Sequence, residues 1–181
     1  MPCAHGDNRQ FIPLGIAVIT VSDTRTLEDD KSGKVLAARI EKAGHKLVDR
    51  AIIIDDAKLI REQLQKMLAE PEVDVVITTG GTGLTGRDVT VEAARGLFEK
   101  EIEGFATAFF MVSWNKIGTS AMQSRATGGV AGGKYIFCLP GSPGACKDAW
   151  DELLVKQLDY RQKPCNFVEI MPRLDEHLRR K

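Results

Sequence analysis

The chain has 181 residues, 25 basic and 25 acidic side chains, zero formal charge and 43% apolar content. That length fits one domain with a real hydrophobic core, and the even charge lacks the basic excess of a nucleic-acid binder. No apolar run approaches a membrane span and the polar opening MPCAHGDNRQ has no signal-peptide core, so a cytoplasmic location and no membrane partner are expected. Four cysteines (Cys3, Cys138, Cys146, Cys165) and three histidines are scattered without CxxC spacing, which predicts reduced thiols and no zinc site.

Residues 1–13 read as an arm ending at Pro13, residues 14–168 as the domain and residues 169–181 as a tail, with the polar stretch 161–181 expected to pack loosely. GIAVITV, Gly15–Val21, has the composition of a strand buried on both faces. Ser22 and Asp23 follow it directly. They either turn the chain or line a ligand site, since ligands in open α/β sheets sit beyond the carboxyl ends of strands. Residues 28–31 read as a solvated charged loop, Ser32 as the cap of a helix bearing Leu36 and Ile40, and Gly44 as its stop. A strand over residues 45–54 leads to Asp55-Asp56. Spacing alone favours an N-cap for a helix over 58–68, the alternative being a second site acid.

The chain turns on residues 73–92, VDVVITTGGTGLTGRDVTVE. A β-branched run ends in Gly80, Gly81, Gly83 and Gly86 with threonines between, then Arg87, Asp88 and Thr90, and a helix is expected from about Val91. Such a turn aims backbone N–H groups at an anion. An acid beside a phosphate is repulsive unless a metal, a proton or a transferring group lies between them, which points to catalysis. Gly81 to Gly86 spells GxGxxG, but no second strand with a ribose-binding acid follows. It also has P-loop glycine spacing, but Arg87-Asp88 replaces the required Lys-Ser/Thr.

Residues 92–116 read as helical, broken at Gly104, with a phenylalanine face suited to core or subunit contact. Gly132-Gly133 between two short apolar runs predicts a tight hairpin. Pro140-Gly141-Ser142-Pro143 then opens the last long helix, with Ser142 as N-cap. The alternation predicts a single α/β domain with a mostly parallel central sheet, helices on both faces and a small antiparallel hairpin.

Thr79-Gly80-Gly81-Thr82-Gly83 with Arg87-Asp88-Val89-Thr90 resembles the TGGTG…RDVT signature of the molybdenum cofactor biosynthesis family, the MoaB/MogA group related to the gephyrin G domain. Val21 to Arg25, Ser124-Arg125 and Leu139 to Pro143 agree with it, over about residues 12–168. The Phe11-Ile12-Pro13 lead-in and the Pro164 to Phe167 ending are more similar to the B branch. One position departs: Val91 stands where the family often has proline. The resemblance implies a molybdopterin-binding fold, a homo-oligomer (a trimer or a dimer of trimers) and a handover to a molybdenum-insertion protein. For active members it implies adenylylation of molybdopterin with Mg²⁺ and ATP, releasing pyrophosphate. By that resemblance Asp55 and Asp88 are catalytic, and Asp88 is a candidate Mg²⁺ ligand. Gly80, Gly81, Thr82, Gly83, Arg87, Thr90, Ser124, Arg125, Pro140, Gly141 and Ser142 bind pterin and phosphate, and Ser22 and Asp23 line the nucleotide side. The alternative is a carrier that holds molybdopterin beside a separate MogA-type enzyme. A scaffold role is weaker, with no appended domain to support it.

Overall fold

The computed structural model describes residues 9–179, so the first part of the predicted arm, with Cys3 and His5, lies outside the described residues. The strands are β1 Gly15–Val21, β2 Lys46–Ile53, β3 Val75–Thr79, β4 Lys100–Glu101, β5 Thr127–Ala131 and β6 Lys134–Leu139. They form one six-stranded sheet in the order β2-β1-β3-β6-β5-β4. β2, β1, β3 and β6 run parallel, while β5 is antiparallel to both β6 and β4. The expected class, a mostly parallel sheet with a hairpin at one side, is the one found.

Alternate side chains of the strands feed two cores. Ile16, Val18, Val75, Ile77 and Phe137 meet α1 (Lys31–Lys42), α4 (Glu103–Ile117) and α5 (Pro143–Ala149) through Leu36, Ile40, Phe109 and Cys146. Ala17, Ile19, Val76 and Ile136 face the other way, onto α2 (Ala57–Ala69) and α3 (Thr90–Arg95). This two-sided burial is why β1 reads as an unbroken apolar run. Past α5 the chain makes a π-helical turn over Trp150–Leu154.

Local signals explain several element ends. Gly44 has φ 89°, and the His45 and Gly44 N–H groups reach back to the Ile40 and Glu41 carbonyls, a Schellman end for α1. Gly132 and Gly133 take φ 57° and 75°, the positive pair that a two-residue hairpin needs. Asp56 caps α2, accepting from the Lys58 and Leu59 N–H groups at 2.9 and 3.0 Å.

Three expectations are corrected. The N-cap of α1 is Asp30, not Ser32, and Asp30 is not solvated but 1% exposed. Its carboxylate accepts from the Gly33 N–H, the Thr20 hydroxyl and Arg50. Burial alone would raise its pKa, and these partners, Arg50 foremost, outweigh burial and leave it below its ordinary value.

The break in residues 92–116 lies at 96–102, not at Gly104, which sits in the first turn of α4. A Cβ on Gly129 would lie 2.4 Å from the Phe98 ring, so that ring packs flat on the bare backbone of β5. The Glu99 and Ile102 N–H groups then bond to β5 carbonyls, making β4 an edge strand. Tertiary pairing overrides a helical apolar spacing there.

The stretch after residue 161 is docked as far as Leu174 rather than loose, and residues 177–179 are exposed. Asn166 caps α7 (Phe167–Ile170) and holds the Tyr160 and Gln162 carbonyls. The Phe167 ring sits 5.1 and 5.7 Å from those of Tyr135 and Phe137, and the Tyr135 hydroxyl donates to the Phe167 carbonyl.

Candidate functional site

The site gathers where the parallel strands end. β1 delivers Ser22 and Asp23, β2 delivers Asp55, β3 delivers the glycine loop, and β6 delivers Pro140, Gly141 and Ser142. Three glycines of the loop are packed too tightly for side chains. Gly80 has φ 100°, and a Cβ there would lie 2.2 Å from the Val21 carbonyl oxygen. A Cβ on Gly81 (φ 64°) would lie 2.2 Å from the Thr90 hydroxyl oxygen and 3.0 Å from both Asp55 carboxylate oxygens. One on Gly83 would lie 2.7 Å from Asp88 Oδ2. Gly81 is therefore bare because the Thr90 hydroxyl presses against it with the Asp55 carboxylate close by, and Gly83 because the Asp88 carboxylate does, a role beyond the ligand cradle expected from the spacing.

The two acids differ in environment. Asp88 Oδ2 accepts from the Thr85 hydroxyl at 2.6 Å and the Thr85 N–H at 2.9 Å. Those bonds, the Thr85 hydroxyl foremost, hold its pKa below the ordinary value. Asp55 Oδ1 is buried with no hydrogen-bond partner, and so is the Thr90 hydroxyl. Burial raises the Asp55 pKa, helped by the Asp88 and Asp23 charges and opposed by the Val89 N–H and Arg87.

Arg87 is exposed and pairs with Asp23 at 2.5 Å, and Asp23 also accepts from the Asp55 N–H. Arg125 does not point at open space. Its Nε donates to the Thr82 and Gly83 carbonyls at 2.9 and 3.1 Å, and its terminal nitrogens grip Glu92. It clamps the glycine loop to α3. Ser22 receives the Thr24 and Arg25 N–H groups, and Ser142 caps α5 by accepting from the Ala145 N–H. Cys146 lies beneath, with Sγ 3.1 Å from the Thr79 hydroxyl; burial pushes its thiol up to about 11, so it stays protonated.

Gly141 abuts Gly80, where a Cβ on residue 141 would lie 3.2 Å from the Gly80 Cα. This backbone seam borders two hollows. One, of about 130 Å³, includes Ser22, Arg25, Asp30, Lys31 and Ser32 in its wall. The other, of about 490 Å³, is walled by Gly81, Thr82, Gly83, Asp88, Ser124 and Ser142, with Ser120 and Gln123. Asp55, Arg87, Thr90 and Arg125 stand behind or beside these walls.

The family model described as a probable molybdopterin binding domain matches residues 17–160. Molybdenum cofactor biosynthesis protein B of Escherichia coli K12 is 48% identical over 158 residues, 87% of this chain and 93% of that protein. The chain belongs to the MoaB family of molybdenum cofactor biosynthesis proteins. A crystal structure of a molybdenum cofactor biosynthesis protein B superposes with a TM-score of 0.84 at 40% identity, covering 93% of this chain and 99% of that one. The tungsten cofactor synthesizing protein MoaB from Pyrococcus furiosus gives a TM-score of 0.72 at 33% identity, covering 80% of this chain and 92% of that one.

In this MoaB-family chain the sequence reading missed Thr85, Glu92, Arg25 and Lys31. Thr85 carried a signal, standing three residues before an acid, the spacing at which an acidic side chain reaches back to a threonine N–H in a capping box. Glu92 carried none, since its partner Arg125 is 33 residues away. Among the described residues no group of three or more His, Cys, Asp or Glu is placed to hold a metal, and no helix is long and apolar enough to cross a membrane.

Proposed function

We propose that this chain adenylylates molybdopterin. The terminal phosphate oxygen of the pterin attacks the α-phosphorus of ATP, the bond to the β-phosphate oxygen breaks, and pyrophosphate leaves with that electron pair. The observation that carries this reading is the pair of hollows meeting at the Gly80–Gly141 seam. Two phosphate-bearing substrates can be held on either side, with their reacting groups brought together over bare backbone. Arg25 and Lys31 suit the smaller hollow to the polyphosphate, and the larger is roomy enough for part of a pterin.

A phosphate monoester with a second pKa of about 6 is already ionised at neutral pH, so the attacking oxygen has no proton to lose. Asp55 and Asp88 are therefore not required as bases. Phosphoryl and nucleotidyl transfers depend on positioning and charge neutralisation. The unpartnered Asp55 Oδ1, near the Asp88 and Asp23 charges, is what a divalent cation would answer. Mg²⁺ takes few protein ligands and relies on phosphate and water, so Asp55 with Asp88 suffices. When bound it would neutralise phosphate charge. Arg87 contributes its cation to the incoming phosphates on exchanging Asp23 for them, and Arg125 and Glu92 keep the glycine loop in shape. The exposed apolar face of α4, with Phe110, Met111 and Trp114, supports a homo-oligomer.

A second reading is a molybdopterin carrier without turnover, which the larger hollow walled by Gly81, Thr82 and Gly83 would serve equally well. The experiment that separates them incubates purified protein with molybdopterin, Mg²⁺ and ATP, and follows adenylylated pterin and pyrophosphate, with Asp88→Asn alongside. Product from wild type, reduced roughly 10²–10³-fold in the variant, is expected. Tight pterin binding with no product would favour the carrier. Neither binding nor product would overturn both.

A further inference from the structure

Asp88 is seated by a device that a ligand cradle alone does not need. Both the hydroxyl and the N–H of Thr85 donate to Asp88 Oδ2, at 2.6 and 2.9 Å, while the Asp88 N–H returns to the Thr85 carbonyl at 3.0 Å. Gly83 is bare where this carboxylate lies, with 2.7 Å from its virtual Cβ to Asp88 Oδ2. The cup of the glycine loop is thus partly filled by one of the protein's own anions. Thr85 itself is exposed and contributes nothing to either core. Its two bonds fix a short side chain that otherwise rotates freely at the wall of the larger hollow.

We propose that Thr85 is a positioning residue, whose hydroxyl seats the Asp88 carboxylate in the glycine loop in the orientation that adenylyl transfer uses. This rests on the transferase reading above. A carboxylate held by charge-assisted hydrogen bonds loses little reorganisation at the moment of reaction. Unseated, it can swing toward Asp55, whose charge already disfavours a second anion nearby. Misplacement of a catalytic group by about 1 Å can cost on the order of 100-fold. The loss belongs to the chemical step, because Thr85 lines neither hollow.

The test compares wild type, Thr85→Ser, which keeps the hydroxyl, and Thr85→Val, which keeps the shape without it. Turnover from Mg-ATP, KM for ATP and equilibrium molybdopterin binding are measured, together with the carbon NMR shift of the Asp88 carboxyl at fixed neutral pH. Thr85→Val should lower kcat roughly 10- to 100-fold, with KM and pterin binding within about 3-fold of wild type. The Asp88 resonance should move. Thr85→Ser should stay within about 3-fold in kcat and leave the resonance near its wild-type position. Equal turnover of wild type and Thr85→Val, or an equal fall in the two variants, would overturn the assignment. A loss confined to KM or binding would do the same. If wild type makes no product, the transferase reading fails. The NMR arm then still decides whether Thr85 seats Asp88, and an unmoved resonance in Thr85→Val rejects it.

Discussion

Alanine at Gly81 should be among the most damaging small substitutions in the loop, and its cost divides into two measurable shares. The left-handed backbone at φ 64° costs an alanine about 1–2 kcal/mol. The new methyl would stand 2.2 Å from the Thr90 hydroxyl oxygen, on a side chain that is fully buried and cannot swing away. Overpacking of this kind costs about 1–3 kcal/mol. The sum is about 2–5 kcal/mol, and at about 2–4 °C per kcal/mol for a chain of this size the melting temperature should fall about 4–20 °C. Gly86 is the internal control, since a Cβ there meets nothing within 4 Å and its φ is not positive. Gly86→Ala should change stability by less than about 0.5 kcal/mol or raise it slightly. The assay is thermal and urea unfolding of Gly81→Ala, Thr90→Ala, the double variant and Gly86→Ala. In the double variant the 2.2 Å approach is gone and only the backbone share and the Asp55 oxygens at 3.0 Å remain, giving a coupling of about 1–3 kcal/mol. Additive costs, or a Gly81→Ala no worse than Gly86→Ala, would refute the packing of Gly81 against Thr90.

Asp55→Asn should abolish adenylylation yet raise the melting temperature at pH 7. The folded-state pKa of Asp55 lies above the unfolded 3.8, so its ionisation costs stability as pH rises from 3.8 through the folded value; the gain should vanish in acid, where both states are protonated. Asp30 has the opposite sign: its folded pKa is depressed, so its stabilisation is present above 3.8 and is lost as pH falls through the folded value. Asp30→Asn should cost about 2–4 kcal/mol in urea unfolding at pH 7, because it strands Arg50, whose guanidinium still reaches some solvent. Arg125→Lys, which cannot bridge two carbonyls and a carboxylate at once, should speed hydrogen exchange at the Gly83 and Leu84 amides.

Much of the fold is local and could be read as such. β1 is apolar throughout because both its faces are covered, and the Gly132-Gly133 pair can only serve a hairpin of this hand. The adjacent acids Asp55 and Asp56 show where local reading ends. Asp56 caps α2, as spacing suggested, and its neighbour turns toward the glycine loop. No propensity distinguishes them, because the extended backbone at the end of β2 decides which carboxylate faces which way. Asp30 looked solvated because Arg50, the cation that lets it stay charged under cover, comes 20 residues later on β2. The Phe98 ring left the helical pattern for a similar reason, since the vacancy it fills is created by Gly129. The glycine loop was legible as a close approach of backbone, but what approaches Gly81 and Gly83 is in large part the protein itself.

The seam between Gly80 and Gly141 bears on inhibitor design. A compound built to occupy both hollows must cross a ridge made only of main chain, where even a methyl on residue 141 would sit 3.2 Å from the opposite Cα. The ridge offers no side chain to grip, so the connecting portion of such a compound is judged by thickness alone. Its selectivity has to come from the two ends, from Arg25 and Lys31 in one hollow and Ser120 and Gln123 in the other. A slender, anionic bridge between two differentiated head groups is the shape this protein should prefer over proteins that share only the loop.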